Sequence, residues 1–126
     1  MKKIVNTADA PAPIGPYSQA VIAGNFLFAS GQIAINPADG NLVVENIKAE
    51  TKQVMENIKA VLNEAGLDFG NIVKTTIFLS SMQNFADVNE VYGTYFRAAF
   101  PARETVEVAG LPKNVNVEIS ITAIIA

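Results

Sequence analysis

The sequence predicts an α+β domain in which two helices cover one face of a mixed β-sheet. Three observations support this prediction. The chain has 126 residues, which is the length of one domain, here residues 1–126. Its hydrophobic period changes between two and about 3.6 residues. Its elements run as strands, helix, strand, helix and two strands. Half of the residues are hydrophobic and 17% are charged, so the chain can bury a core.

The first third of the chain predicts short strands joined by turns. Three prolines between residues 11 and 16 exclude a helix there. Gly24-Asn25 is a two-residue turn between β-prone segments, which is typical of a hairpin. The predicted elements are a leading strand and an extended loop over residues 5–16, hairpin strands over 18–23 and 26–30, a turn over 36–41, and a short strand over 42–44.

The rest of the chain predicts two helices and three strands. Apolar residues at helical spacing follow Asn46, a plausible N-cap, and end before Gly66, a plausible C′ residue. A second helix is expected to stop before Pro101. Its limits are residues 84–99, and the strands cover 72–80, 102–109 and 115–125. The strand after the first helix is expected to lie parallel to a neighbour through a right-handed crossover.

The composition excludes several kinds of chemistry. The sequence has no Cys and no His, so thiolate nucleophiles, imidazole bases, disulfides and the usual zinc ligands are absent. The net charge is −3 and the cations are dispersed, which disfavours nucleic-acid binding. No apolar stretch approaches ~20 residues, and polar residues soon follow Met1-Lys2-Lys3. We therefore expect a cytoplasmic protein without membrane or nucleic-acid partners.

The last two strands carry the polar residues that are candidates for chemistry. Arg103 and Thr105 alternate onto one face of their strand, and Glu118 interrupts an otherwise apolar strand. If these strands are neighbours, the three residues lie close together. This polar face is too polar for a core and too poor in lysine for a solvent surface. It therefore indicates a homo-oligomer with a polar pocket between subunits.

Each candidate residue also has a purely structural interpretation. The planar fork of Arg103 suits a carboxylate, but it could equally pair with Glu107 or Glu118. Glu118 could orient or deprotonate a water, or it could be the partner in that ion pair. Arg97 is expected to interact with the dipole at the end of the second helix, without a catalytic role.

Three further positions are candidates for binding rather than for catalysis. Tyr17 could cover a ligand or only shield the core. Ser30-Gly31-Gln32 ends a strand and offers a hydroxyl and amide donors, but Ser30 lacks a base that would make it a nucleophile. Asn89 lies off the apolar stripe of the second helix, where a solvated amide is the commoner explanation.

Four segments of the sequence together resemble the RidA family of reactive-intermediate deaminases, also called the L-PSP endoribonuclease family. The resemblance covers essentially the whole chain. It implies a chorismate-mutase-like fold, a homotrimer with active sites between subunits, and hydrolysis of 2-imino acids to 2-oxo acids and ammonia without a cofactor or metal. 2-Iminobutanoate and 2-iminopropanoate are the implied substrates. The segments are Gly15-Pro16-Tyr17-Ser18-Gln19-Ala20, Ala29-Ser30-Gly31-Gln32, the helix with Asn89, Tyr92 and Phe96, and Pro101-Ala102-Arg103 through Leu111-Pro112 to Val117-Glu118-Ile119.

The resemblance also implies a role for each candidate position. Arg103 matches the arginine that binds the substrate carboxylate, and Glu118 matches the acid that holds the attacking water. The remaining matches are Tyr17, which lines the pocket, and the binding positions Ser30, Gly31 and Asn89. Many members have Cys where this chain has Thr105. A role of that position through its backbone carbonyl tolerates this change, whereas a role of the thiol does not.

Two other functions remain open from the sequence. A non-catalytic metabolite-sensing or regulatory trimer that binds 2-oxo acids would need the same arginine. An endoribonuclease fits poorly, because the chain is acidic and has no His.

Overall fold

A computed structural model describes residues 1–125 of the chain. It confirms the α+β class, with two helices and a six-stranded sheet. No helix among the described residues has the length and apolar character needed to cross a membrane. The elements are β1 (Lys3–Val5), β2 (Ala20–Ala23), β3 (Phe26–Gln32), α1 (Ile47–Glu64), β4 (Ile72–Leu79), α2 (Phe85–Gly93), β5 (Ala102–Glu107) and β6 (Val117–Ile124).

The strands lie in the order β1-β2-β3-β6-β4-β5. All neighbouring pairs are antiparallel except β4 and β5, which run parallel and are joined through α2. The strand after the first helix therefore has a parallel neighbour, as predicted. β2 and β3 form the predicted hairpin around Gly24 and Asn25, with φ of +61° at Gly24.

The core lies between the helices and one face of the sheet. In β6, alternate residues from Val117 to Ala123 are buried, which confirms the predicted alternation. The opposite face carries exposed apolar side chains: Ile4, Phe26, Phe28 and Val106 are all 40–51% exposed. Among residues 1–125 no helix covers this second face, which we call the open face. Apolar surface of this kind is typical of an interface with another chain.

The predicted boundaries of α1 are confirmed. The side chain of Asn46 accepts a hydrogen bond from the backbone N–H of Ala49 at 2.8 Å, which satisfies one free donor of the first turn. Gly66 adopts a left-handed φ of +75°, the conformation that glycine provides after a helix.

The second helix is shorter than predicted and ends at Gly93, not at residue 99. The following Tyr95 and Phe96 turn their rings onto Phe69, with centroids 5.1 and 5.6 Å apart. This aromatic packing replaces further helical turns. The interpretation of Arg97 as a helix-terminal cation was therefore wrong, because Arg97 lies beyond the helix.

Smaller differences occur at strand ends. The leading strand begins at Lys3, and the strand predicted over residues 42–44 is only a single bridge between Ile35 and Leu42. Beside this turn only one pair of residues is bridged by antiparallel hydrogen bonding, so no strand forms there. The last strands are trimmed to Ala102–Glu107 and Val117–Ile124.

Candidate functional site

The predicted site residues separate into two groups on opposite faces of the sheet. Arg103 pairs with Thr75 of β4, whereas Glu118 pairs with Phe78 of the same strand. These β4 residues are three positions apart, so their side chains point to opposite faces. The expectation that Arg103 and Thr105 would lie beside Glu118 was therefore wrong. It failed because β4 inserts between β5 and β6.

The first group lines a cavity of about 290 Å³, which we call the acid pocket. Its polar end holds Glu118, beside the last residues of β3, and Tyr17 stands at the rim, 48% exposed. The rest of the wall is mostly apolar. The lining residues are Pro11, Ala12, Ile14, Tyr17, Gln19, Ser30, Gly31, Gln32, Ile33, Ile35, Pro112 and Glu118.

A β-bulge brings Gly31 directly beneath Glu118. Ala29 and Gln32 pair with Ile121 and Ile119, so β3 has one more residue than β6 between these pairs. A Cβ atom on Gly31 would lie 2.6 Å from Oε2 of Glu118 and 2.8 Å from its Cδ. The position therefore needs glycine for close approach, and any side chain there would push the carboxylate away.

The Glu118 carboxyl is half-buried, and burial raises its pKa above the usual glutamate range. No hydrogen bond joins its side chain to any residue within 1–125. A carboxylate in this position is a free acceptor at the end of a cavity. It can hold a water or a polar group of a ligand.

The neighbouring polar groups have mainly structural partners. The Ser30 hydroxyl donates to the Ser18 carbonyl at 2.6 Å, so its proton is already used and only its oxygen remains to accept. The phenol oxygen of Tyr17 accepts the Ile14 N–H at 3.3 Å. Gln19 is buried and bonds the backbone of residues 7–11, which fixes the loop that walls the pocket. Sequence reasoning had not assigned Gln19 this role.

The second group lines a separate cavity of about 440 Å³, which we call the arginine cleft. Nη1 of Arg103 donates to Oδ1 of Asn89 at 2.6 Å. The guanidinium carbon lies 5.1 Å from the ring centroid of Tyr92 and 5.7 Å from that of Phe85. The lining residues are Asn89, Tyr92, Gly93, Phe100, Pro101 and Arg103.

These contacts hold the guanidinium between two aromatic rings and leave most of its donors free. Tyr92 is itself fixed, because its hydroxyl lies 2.8 Å from that of Thr75. Burial raises the pKa of Tyr92, so the phenol stays neutral beside the cation. Sequence reasoning placed Tyr92 in the core and missed Phe85 as a support. Phe85, Asn89 and Tyr92 are spaced at i, i+4 and i+7, which places them on one face of the helix. This spacing was the signal from which the role of Phe85 could have been inferred.

Arg103 does not form the predicted alternative ion pair. Within residues 1–125 neither Glu107 nor Glu118 lies within salt-bridge distance of it. Glu107 instead accepts the backbone N–H of Met82 at 2.7 Å. An arginine that has only an amide partner and two rings can take a carboxylate.

Thr105 lies on the same sheet face as Arg103, two residues further along β5. Its Oγ1 is buried and has no hydrogen-bond partner among the described residues. An unpartnered buried hydroxyl costs free energy, so this group is available to a ligand or a second chain. Within residues 1–125, no group of three or more acidic side chains is arranged to hold a metal ion.

Comparison with known proteins identifies relatives along nearly the whole chain. The sequence model of the family described as Endoribonuclease L-PSP matches residues 7–125. A RutC family protein of Pyrococcus horikoshii is 52% identical, with 98% of each chain covered. A Lactococcus lactis protein named as a candidate regulator, AldR, is 50% identical, with 96% of each chain covered.

An enzyme is also among the relatives. The 2-iminobutanoate/2-iminopropanoate deaminase of Bos taurus is 47% identical, covering 98% of this chain and 90% of that protein. Among solved structures, YyfA of Yersinia pestis, a protein of the Rid family, superimposes with a TM-score of 0.96. It is 50% identical, with 98% of this chain and 99% of that chain covered.

Proposed function

The chain belongs to the family described as Endoribonuclease L-PSP, also named Rid, and on that premise we propose that it is an enamine/imine deaminase. It hydrolyses 2-imino acids, and their enamine tautomers, to 2-oxo acids and ammonia. 2-Iminobutanoate and 2-iminopropanoate are the proposed substrates, because a relative that is 47% identical is named as a deaminase of these two compounds. The observation that supports this most is a free arginine fork in one cleft and a free carboxylate in another.

The proposed enzyme is a homotrimer, and its active site forms where two subunits meet. Arg103 and Glu118 lie on opposite faces of one sheet, so one chain cannot bring both to a small substrate. The arginine cleft of one subunit would face the acid pocket of the next. Exposed apolar groups border both cavities, with Phe100 63% exposed and Ile14 64% exposed. The open face supplies further apolar surface for assembly.

Each group then has one task. The guanidinium of Arg103 binds the substrate carboxylate through two parallel hydrogen bonds, and Asn89 and the rings of Tyr92 and Phe85 hold it in place. Glu118 accepts a hydrogen bond from the attacking water. The Thr105 backbone carbonyl is the proposed second acceptor for that water. Tyr17, Ser30 and Gly31 shape the pocket around the substrate.

The reaction needs positioning more than a strong nucleophile. A protonated imine is already electrophilic at C2, and an enamine reaches that state by gaining a proton at carbon. Water then adds to C2, the C=N π electrons move to nitrogen, and a proton passes from the water oxygen to the amine nitrogen. The N-protonated carbinolamine expels ammonia, and the remaining hydroxyl proton leaves to solvent as C2=O forms. This chemistry uses no histidine or thiol, which agrees with the composition.

The test is a coupled assay in which an amino-acid oxidase generates the imine in situ. We expect the wild-type chain to accelerate ammonia release over the uncatalysed rate. Glu118→Gln and Arg103→Ala should remove most of this acceleration. Ammonia release that is equal with and without the protein would exclude the deaminase proposal.

A second candidate function is a regulatory trimer that binds 2-oxo acids without turnover. The relative named as a candidate regulator, at 50% identity, favours it. Calorimetric binding of 2-oxobutanoate with no acceleration of imine hydrolysis would support this function over the enzyme. A cytoplasmic location and the absence of RNA binding remain predictions from the sequence.

A further inference from the structure

The structure contains a fully buried carboxylate that the proposed reaction does not use. Glu50 lies in the first turn of α1 and is 0% exposed. Its Oε2 accepts the backbone N–H groups of Asn116 at 2.7 Å and of Val117 at 3.2 Å. Its Oε1 accepts the side-chain amide of Asn116 at 2.8 Å. All three recorded donors are neutral groups.

These hydrogen bonds fix the chain immediately before Glu118. Asn116 and Val117 are the two residues that precede it, and β6 begins at Val117. Asn116 also accepts the Ser80 backbone N–H through its carbonyl at 3.0 Å, so it is held by the residue that follows β4 as well. The preceding loop has two non-glycine residues at left-handed φ, Lys113 at +55° and Asn114 at +57°. A strained loop of this kind needs a fixed end.

The same loop also forms part of the acid pocket, since Pro112 lies in its wall. A shift at Asn116 would therefore move the wall and the carboxylate together. The carboxylate cannot shift toward β3, because Gly31 lies directly beneath it.

We propose that Glu50 is a positioning residue for Glu118: its hydrogen bonds to Asn116 and Val117 set the place of the catalytic carboxylate in the acid pocket. This inference rests on the proposed function, because it assigns Glu50 to the same reaction. Glu50 acts through Asn116 and Val117 and touches no substrate.

A purely structural role explains the choice of residue less well. Burying a carboxylate costs desolvation free energy, so the site retains it only because its oxygens pair with the N–H groups of Asn116 and Val117. A carboxylate presents acceptors only and holds several N–H donors in a defined geometry. Its place near the helix N-terminus also stabilises the negative charge. These features hold the residues before Glu118 in one defined position, in addition to stabilising the fold.

The test compares three variants of the full-length protein with one matched control. Glu50→Gln keeps the shape but presents an amide N–H₂ to one of the N–H donors, and Glu50→Ala removes all three bonds. Asn116→Ala removes one of the three bonds to Glu50, together with the exposed bond from the Ser80 hydroxyl at 3.3 Å, and keeps the backbone donors, which makes it the mildest variant. The control is Glu56→Gln, also on α1, where the carboxylate accepts the Tyr95 hydroxyl at 2.6 Å and makes no recorded bond to β6.

The assay temperature lies well below the unfolding temperature of every variant. Under these conditions we expect kcat for imine hydrolysis to fall about 10-fold in Glu50→Gln and about 100-fold in Glu50→Ala. KM should change by less than about threefold, because the arginine cleft that binds the carboxylate is untouched. Asn116→Ala should lose about threefold in kcat, and Glu56→Gln should retain wild-type kcat and KM.

A second readout does not depend on turnover. The pKa of Glu118, followed by carboxyl-carbon NMR, should fall toward the ordinary glutamate value in Glu50→Gln and in Asn116→Ala, because the loosened carboxyl gains solvent. It should stay at the wild-type value in Glu56→Gln. If the wild type hydrolyses no imine, the proposed function fails, and this titration still tests the position of Glu118.

The inference is overturned if folded Glu50→Gln and Asn116→Ala keep both wild-type kcat and the wild-type Glu118 pKa while losing only thermal stability. That result would make Glu50 a structural anchor alone. Should Glu50→Ala not fold, the Asn116→Ala and Glu50→Gln results decide.

Discussion

An active site shared between subunits predicts that two inactive variants restore activity when they are combined. Arg103→Ala damages only the arginine cleft, and Glu118→Ala damages only the acid pocket. Each charge-assisted hydrogen bond contributes roughly 1.5–3 kcal/mol, so each variant alone should lose about 10- to 100-fold or more in kcat/KM. The two lesions lie on opposite faces of the sheet, in different cavities.

The expected recovery follows from counting. In an equal mixture of the two chains, each half of a site is intact with a probability of about one half, so about one quarter of the sites have both halves intact. The chains are denatured together, refolded, and assayed for ammonia release from in situ generated imine. We expect about 25% of wild-type activity per subunit.

The matched control combines two lesions of the same half-site. Gly31→Ala places a Cβ 2.6 Å from the Glu118 carboxylate, so it displaces the same group that Glu118→Ala removes. A mixture of these two chains has no intact acid pocket and should stay at the level of its parents. If the Arg103→Ala and Glu118→Ala mixture also stays at that level although mixed assemblies form, the shared site is refuted.

Three further outcomes are expected. Arg103→Lys should lose about 10- to 100-fold in kcat/KM, because an ammonium group cannot form the two parallel hydrogen bonds of the guanidinium. The control Arg97→Lys should match wild type. Equal kinetics of the two variants would contradict binding of the substrate carboxylate by Arg103. Gly31→Ala should fold with little loss of melting temperature, because the displaced atom ends a flexible side chain, yet it should lose turnover; a fully active variant would exclude close approach of the acid. Finally, burial raises the pKa of Glu118, and kcat should fall as pH decreases through that pKa because protonation removes the acceptor for water. Any residual activity of Glu118→Gln should not show this decrease at acidic pH.

The elements with a strong hydrophobic period were predictable from the sequence. α1 has an N-cap, a continuous apolar stripe and a glycine at C′, and its limits agree with the structure to within a residue. α2 has no such ending signal. Its length is set by tertiary packing of Tyr95 and Phe96 onto Phe69, which no local pattern reports. The alternation of β6 predicted the buried face correctly.

The candidate residues were identified from the sequence, but their arrangement was not. Residue type and resemblance select Arg103 and Glu118, whereas their relation depends on strand order. Sequence neighbours are commonly sheet neighbours, and here β4 lies between β5 and β6. Glu50 was missed for a different reason. Glu50 lies four residues before Val54, so its charge falls on the buried stripe of α1. A search for apolar residues at helical spacing does not detect such a charge.

Division of the two charges between the faces of one sheet has a chemical consequence under the proposed function. If Arg103 and Glu118 lay side by side in one chain, they would pair directly and neutralise each other. On opposite faces they cannot meet within a chain, and Asn89 and two aromatic rings hold the guanidinium in its cleft. Assembly then sets the distance between the groups by the rigid packing of two sheets. Neither side chain could close such a gap by rotation alone. The gap can therefore admit a small acid between the two charges.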